Sequence, residues 1–179
     1  EFVIKAFRQE LQTATVDEVQ VLTPYRSRGA ASVKELNKAL REIVNPAVSG
    51  AYEMKVGNQI FREGDKILQT KNTELVSNGD MGRIQRFFID DDGENKAELV
   101  FSDNRSVTYT VEQMEDVELA YATTVHKSQG SEYPVVILPW IKGFYMMLKR
   151  TILYTAVTRA KTKVIIIGER SALYQAIHT

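Results

Sequence analysis

Cysteine is absent from the sequence, and histidine occurs only as His126 and His178. A disulfide framework is therefore excluded, and we expect no structural metal, because a zinc site would need more ligands of these types. No apolar run approaches the length of a membrane span, and the N-terminus has no basic stretch followed by an apolar segment. These absences predict a cytoplasmic protein that makes no contact with a membrane.

The sequence also lacks an excess of charge of either sign, since 23 basic and 23 acidic residues cancel. Whole-chain charge therefore gives no indication of nucleic acid binding. The distribution is uneven, because residues 133–168 contain six cations and no acidic residue, whereas residues 90–98 and 112–118 are predominantly acidic. Such runs are more often solvated faces, so they do not identify a ligand by themselves.

A complete nucleotide-binding site is missing as well. A phosphate-binding loop of the Walker A type needs glycines followed by a lysine, and the sequence contains no Gly-Lys pair. The nearest candidate for the acidic Walker B pair, Asp17-Glu18, precedes its strand instead of ending it, which favours a turn. The first residue, Glu1, is not Met, which indicates a fragment excised from a longer protein.

Strands and helices alternate at both ends of the chain. The apolar run at 18–23 predicts a buried strand, and Ser32 with Glu35 predicts the start of a helix that ends before Asn45-Pro46. After residue 116 we expect a strand at 117–122, a short helix at 123–129 closed by Gly130, a strand at 135–138, a helix over 148–157, a buried strand at 163–168 and a last helix capped by Ser171.

The middle of the chain has a different pattern. Residues 47–63 show weak periodicity and are interpreted as a connection. Short strands are predicted at 66–70, 82–89, 97–101 and 106–111, with turn-forming residues between them. The whole pattern predicts an α/β fold, in which residues 1–55 and 117–179 form a parallel sheet flanked by helices and residues 56–116 form an inserted small β-barrel.

The segment most informative about chemistry is residues 121–132, YATTVHKSQGSE. A strand that ends in Thr123 and Thr124, next to a helix N-terminus, offers the short donors that suit a phosphodiester, and His126 could add a phosphate or base contact. Taken alone, His126 is more often a core histidine with a satisfied ring, and the threonines are ordinary caps. The residue types by themselves therefore leave the function open.

Two longer strings carry a specific resemblance. Residues 122–132, with the order Thr-Val-His-Lys-Ser-Gln-Gly inside them, are similar to motif V of superfamily 1 helicases in its RecD-like form. Residues 153–161, LYTAVTRAK, resemble motif VI of the same family, with Arg159 in the place of its arginine finger. On these residues the chain is identified as a member of the RecD/TraA-like DNA helicases, which are also called exodeoxyribonuclease V alpha-like.

Two looser matches extend the resemblance. Residues 21–37 resemble motif IV but are one residue longer, which leaves open whether Arg26 or Arg28 holds the phosphate-contacting position. Residues 64–82 resemble the SH3-like barrel that this family carries inside its second motor domain. The resemblance implies a RecA-like domain 2A, formed by residues 1–55 and 117–179, and an SH3-like domain 2B at residues 56–116.

The family also implies how the site residues divide their work. ATP and Mg²⁺ would be held mainly by a first motor domain that this sequence lacks, so the segment would be an ATP-dependent enzyme only as part of its parent and inactive alone. Arg159 would act on the γ-phosphate across the cleft. Gly130 and Glu132 would approach the nucleotide, with the carboxylate at the ribose. The residues implied to bind single-stranded DNA are Thr123, Thr124, His126 and Lys127, with Asn78 and Arg105 in the barrel.

Plainer interpretations compete for several of these residues. Scattered surface arginines such as Arg83, Arg86 and Arg105 more often serve solubility. Trp140 and Tyr145 could stack on bases, but core or interface packing is the more frequent use.

For the whole protein, the resemblance implies a 5′ to 3′ helicase in DNA repair or recombination, partnered by single-stranded DNA, by the N-terminal motor domain and by further recombination subunits. An RNA helicase or a conjugative relaxase-helicase is not separated from it by these motifs. The alternative is a standalone module that binds nucleic acid or peptide without ATP. Motif VI argues against that alternative, since a pure binder has no need of Arg159.

Overall fold

A computed structural model describes residues 1–26 and 29–179. The chain divides into two compact units, which we call the α/β unit (residues 1–44 and 121–179) and the β unit (residues 45–120). The sequence predicted boundaries at residues 56 and 116, but the β unit begins before the first of these and ends after the second. It does so because a hairpin at its start and a strand at its end belong to it.

The described residues form four α-helices, eleven β-strands and two short 3₁₀ helices at Gln113–Asp116 and Lys142–Met147. In chain order the helices and strands are α1 (Phe2–Glu10), β1 (Val19–Thr23), α2 (Val33–Val44), β2 (Glu53–Val56), β3 (Gln59–Arg62), β4 (Lys66–Gln69), β5 (Met81–Ile89), β6 (Asn95–Phe101), β7 (Ser106–Thr110), β8 (Val117–Leu119), β9 (Ala122–Thr124), β10 (Tyr133–Trp140), α3 (Arg150–Val157), β11 (Ala160–Gly168) and α4 (Arg170–Ile177). None of these helices has the length and the apolar composition that a bilayer crossing requires.

The sheet of the α/β unit has four parallel strands in the order β11-β10-β1-β9. β1 lies inside it, with Val21 opposite Ile137 of β10 and Ala122 of β9. All five residues of β1 are buried, as a parallel strand covered on both faces requires, so the strand predicted at 18–23 is confirmed. β11 lies at the sheet edge, and Ile166 there is 40% exposed. The prediction that 163–168 is a buried strand is therefore wrong.

α2 agrees with the sequence prediction. Ser32 Oγ accepts the backbone N–H of Glu35 at 3.4 Å, and the helix ends at Val44, directly before Asn45-Pro46. Its buried face includes Val33, Leu36 and Leu40. The cap predicted for the last helix is wrong, because α4 begins as soon as β11 ends and has Glu169 at its N-cap, which places Ser171 inside the helix.

The β unit contains an antiparallel sheet in the order β7-β6-β5-β4-β8 and a hairpin of β2 and β3. The hairpin falls in residues 47–63, so the interpretation of that stretch as a connection is wrong. Its two-residue turn is Gly57-Asn58, in which Gly57 has φ of +58°. Gly-Asn between two short runs is a hairpin signal that could have located it.

Two predictions around residue 120 are also corrected. Residues 117–122 do not form one strand, since β8 pairs antiparallel with β4 whereas β9 pairs parallel with β1. Residues 123–129 do not form a helix, since β9 continues to Thr124 and turns follow as far as Gly130, whose φ is +84°. Consecutive β-branched residues at 123–125 favour the extended backbone, and Ser128 Oγ donates to the Val125 carbonyl at 2.6 Å to close the turn.

Candidate functional site

The loops that carry the motif IV and motif V residues leave the same edge of the α/β sheet. Thr23 at the end of β1 is in register with Thr124 at the end of β9. Because parallel strands present their carboxyl ends at one edge, residues 24–32 and 125–132 both begin there. Ligands of open α/β sheets bind outside this edge, so the position suits a binding site.

The motif IV loop is held by hydrogen bonds at both ends. Thr23 Oγ1 donates to the Ala31 carbonyl at 2.6 Å, and the backbone N–H groups of Val33 and Lys34 donate to the carbonyls of Tyr25 and Arg26, each at 3.1 Å. Arg26 is exposed, directly beside the first turn of α2. Arg28, the alternative candidate, lies outside the described residues.

The motif V residues that are predicted to bind single-stranded DNA differ from one another in how exposed their side chains are. Thr124 is half-buried, and its Oγ1 accepts the backbone N–H of Lys127 at 3.1 Å, while His126 is exposed. Thr123 is only 2% exposed in the sheet, so its side chain is less available for a DNA contact than that of Thr124. The short helix predicted here, whose N-terminus would face the phosphodiester, is replaced by turns at residues 125–130.

Arg159 joins motif VI to motif V. It lies between α3 and β11, and its guanidinium Nη1 donates to the Ser131 carbonyl at 3.3 Å, while Nη2 donates to Thr158 Oγ1 at 3.4 Å. Its Nε is buried and has no hydrogen-bond partner among the described residues. The backbone N–H of Tyr133 also donates to the Arg159 carbonyl at 2.8 Å. The guanidinium is thus placed against the backbone that follows Gly130.

The side chains that neighbour Arg159 are consistent with a positively charged site that is partly shielded from water. Burial raises the pKa of the Tyr133 phenol, and a hydrogen bond to Ser131 and the charge of Arg159 offset part of that rise. Glu132 is exposed, 4.0 Å from Lys161 Nζ. In the part of the chain that the structure describes, no group of three or more His, Cys, Asp or Glu is arranged to hold a metal ion.

The candidate DNA contacts of the β unit have other partners. Arg105 Nη2 lies 3.0 Å from Asp80 Oδ2, and its Nε lies beside Asp103, so two carboxylates already neutralise this guanidinium. Arg86 pairs with Glu98 at 3.1 Å. The backbone N–H of Asn78 donates to Asn72 Oδ1 at 2.8 Å. These contacts favour structural roles for the barrel arginines.

Trp140 belongs to the core. It is fully buried, and its Nε1 donates to the Ala172 carbonyl at 3.2 Å. It therefore packs the unit and does not stack on a base. The side chain of Tyr145 lies outside the described part of the chain.

One buried amide near the site was not among the predicted functional residues. Asn37 of α2 makes two hydrogen bonds to the backbone of Ala122, at the start of β9. In the sequence, Asn37 is the last residue of the string that resembles motif IV, and it lies among the apolar positions of an amphipathic helix.

Comparison with known proteins finds a matching domain family for segments in both units. Residues 119–167 match the UvrD-like helicase C-terminal domain, and residues 36–101 match the ATP-dependent RecD-like DNA helicase SH3 domain. Among solved structures, a Pif1 helicase from Bacteroides in complex with ADP-AlF3 and ssDNA superposes with a TM-score of 0.57 at 14% identity, covering 92% of this chain and 44% of that one. That likeness establishes the RecA-like fold. Together with relatives that are more than 30% identical, these matches place the chain among the helicases.

More particularly, the chain belongs to the RecD-like helicases. The ATP-dependent RecD2 DNA helicase of Deinococcus radiodurans is 33% identical over 156 residues, which are 86% of this chain and 20% of the relative. The RecBCD enzyme subunit RecD of Mycolicibacterium smegmatis is 31% identical over 175 residues, which are 92% of this chain and 27% of the relative. The chain therefore spans between a fifth and just over a quarter of the length of these two relatives.

Proposed function

We propose that this chain is the second motor half of an ATP-dependent DNA helicase that moves 5′ to 3′ along single-stranded DNA in repair or recombination. The observation that carries the proposal is the guanidinium of Arg159 against the Ser131 carbonyl, in the loop that also presents His126. ATP dependence is supported by the similarity to the ATP-dependent RecD2 DNA helicase of Deinococcus radiodurans. The direction and the pathway rest on the family resemblance.

The residues present fit one side of a nucleotide site. A buried Nε without a partner on Arg159 fits a guanidinium arranged to receive an anion. When bound, ATP with Mg²⁺ supplies the γ-phosphoryl group that water takes up. Arg159 would stabilise the negative charge on that group, Arg26 or Arg28 would contact it from the motif IV loop, and Gly130 and Glu132 would line the nucleotide. A first motor domain of the same parent chain would hold most of the nucleotide and the Mg²⁺.

Single-stranded DNA would be bound by the α/β unit. Residues 1–44 and 121–179 contain fifteen Lys or Arg and eight Asp or Glu, whereas residues 45–120 contain eight and fifteen. A phosphate backbone is therefore attracted to the α/β unit and repelled on average by the β unit. Thr124, His126 and Lys127 are the proposed contacts, and Asn78 and Arg105 become weaker candidates.

Further partners are proposed from the relatives' names. The relatives from Mycolicibacterium smegmatis, Mycobacterium tuberculosis and Buchnera aphidicola are each named as the RecD subunit of the RecBCD enzyme, which supports an assembly with other recombination subunits. Purification of the parent protein from its native source, followed by identification of the proteins that copurify, tests this assembly.

The proposal is tested by Arg159→Ala in the full-length protein that contains this chain. Loss of a trans-acting arginine typically reduces nucleotide hydrolysis by about 10³- to 10⁵-fold. We expect DNA-stimulated ATP hydrolysis to fall to that extent while single-stranded DNA binding without nucleotide is kept. Arg150→Ala is the matched control, because Arg150 lies in the adjacent helix and its guanidinium donates to the Ile177 carbonyl, at 2.7 and 3.0 Å.

Each outcome decides between the two functions. A collapse of hydrolysis in Arg159→Ala, with Arg150→Ala near the parental rate, supports the helicase motor. Unchanged hydrolysis in Arg159→Ala removes the cross-cleft role and favours a binding module that is not coupled to ATP.

A further inference from the structure

β9 is the edge strand of the α/β sheet, and among the described residues no strand pairs with the outer side of its backbone. On that side, α2 supplies hydrogen bonds from a side chain instead. Asn37 Oδ1 accepts the backbone N–H of Ala122 at 2.8 Å, and Asn37 Nδ2 donates to the Ala122 carbonyl at 3.1 Å. The two residues are 5% and 0% exposed, so these hydrogen bonds form out of water. A single amide therefore satisfies both backbone groups of one residue.

The same contact connects two candidate functional loops. At one end, α2 receives the motif IV loop, because the N–H of Lys34 donates to the Arg26 carbonyl at 3.1 Å. On the β9 side of this contact, Ala122 begins the short strand that ends at Thr124 and is followed by His126. A shift of α2 along or around its axis would therefore act on the start of the motif V loop through two buried hydrogen bonds.

We infer that Asn37 is a positioning residue that couples the motif IV loop to the motif V loop. Arg26 in the first would face the nucleotide, and Thr124 and His126 at the second would face the single-stranded DNA. The inference rests on the proposed function, since both loops take their roles from it. Asparagine suits the task because its amide presents one acceptor and one donor to the N–H and carbonyl of the same residue. Aspartate would keep the bond to the N–H but would turn an oxygen towards the Ala122 carbonyl, and alanine would lose both bonds.

The test compares Asn37→Ala and Asn37→Asp in the full-length helicase. The measured quantities are ATP hydrolysis without DNA, its stimulation by single-stranded DNA, and the number of ATP molecules consumed per base pair unwound. Typical coupling between sites corresponds to a factor of about 5 to 150. We expect stimulation to fall within that range and ATP use per base pair to rise, while hydrolysis without DNA and nucleotide-free DNA affinity stay within about twofold.

Gln20→Met provides the matched control. Gln20 is also fully buried, and its Nε2 donates to the Tyr121 carbonyl at 3.3 Å, next to the residue that Asn37 holds. Gln20 belongs to β1 and not to α2, so its loss removes a buried amide from the same backbone without breaking the link to the motif IV loop. We expect Gln20→Met to lower thermal stability but to leave DNA stimulation unchanged.

The inference is overturned if both Asn37 variants retain DNA stimulation, or if Gln20→Met loses as much of it. It is also overturned if stimulation falls only in proportion to the folded fraction, which the circular dichroism melting curve of each variant gives. Asn37→Asp keeps one bond and the side-chain volume, so it tests the coupling even if Asn37→Ala does not fold. Failure of the proposed function would appear separately, as unchanged hydrolysis in Arg159→Ala.

Discussion

Gly168 ends β11 opposite Trp140, the last residue of β10. A Cβ atom added at Gly168 would lie 1.8 Å from the Trp140 carbonyl oxygen and 2.6 Å from its carbonyl carbon. Non-bonded atoms cannot approach so closely, and backbone atoms cannot rotate out of the way as a side chain can. We therefore predict that Gly168→Ala forces the ends of β10 and β11 apart and destabilises the α/β unit.

The magnitude follows from the kind of clash. Overpacking commonly costs about 1–3 kcal/mol, and the upper end applies because backbone must move. With a urea m-value of about 1–3 kcal/mol per M, a loss of about 3 kcal/mol lowers the unfolding midpoint by about 1–3 M. Trp140 is the only tryptophan of the chain and is fully buried, so its fluorescence reports unfolding of the α/β unit.

Gly143→Ala is the control for the loss of a glycine as such. The nearest atoms to a Cβ at Gly143 belong to the flexible side chain of Ile141, at 3.6 and 3.9 Å. This variant is expected to change stability by less than about 1 kcal/mol, in the stabilising direction. Equal urea midpoints for Gly168→Ala and the parent chain would refute the close approach of β10 and β11 at this position.

Two further predictions concern titration and an ion pair. Burial raises the pKa of Tyr109 to about 12. The contribution of this shift to stability is complete below the ordinary tyrosine pKa of 10.0 and is lost as the pH rises towards 12. In an alkaline titration followed by tyrosinate absorbance, Tyr109→Phe should remove the transition at the highest pH, whereas Tyr154→Phe should not, since Tyr154 is 70% exposed. Lys163 Nζ lies 2.9 Å from the carboxylate of Glu10, whose side chain is only 9% exposed, so Lys163→Ala should destabilise by about 1–3 kcal/mol in urea unfolding, and adding Glu10→Gln should restore part of that loss. A double variant no more stable than Lys163→Ala would contradict this account of the pair.

Signals that are local in the chain were sufficient for part of the fold and of the site. The apolar run at 18–23 predicted β1, because a parallel strand buried on both faces must be apolar throughout. Ser32 and Pro46 predicted the bounds of α2, because helix caps and breakers act within a few residues. The order of side chains in residues 122–132 and 153–161 indicated the family, and the comparisons support it.

Other features depended on partners that are distant in sequence. Residues 117–122 divide between two sheets because β8 and β9 have different neighbours. β11 is half-exposed because it is an edge strand, although residues 164–167 (VIII) are as apolar as a central strand. A local hydrophobic pattern contains no information about which neighbour is present, so neither outcome could be read from it.

The sequence by itself determined the residue types of the site and the alternation of strands and helices that defines an α/β fold. Only the tertiary structure decided which of those residues meet. Arg159 lies 28 residues from Ser131, and Asn37 lies 85 residues from Ala122, yet both pairs are in hydrogen-bond contact. Thr123 has the same side chain as Thr124 but is buried by sheet packing. Burial and long-range contacts arise from the packing of the whole chain, and no short segment encodes them.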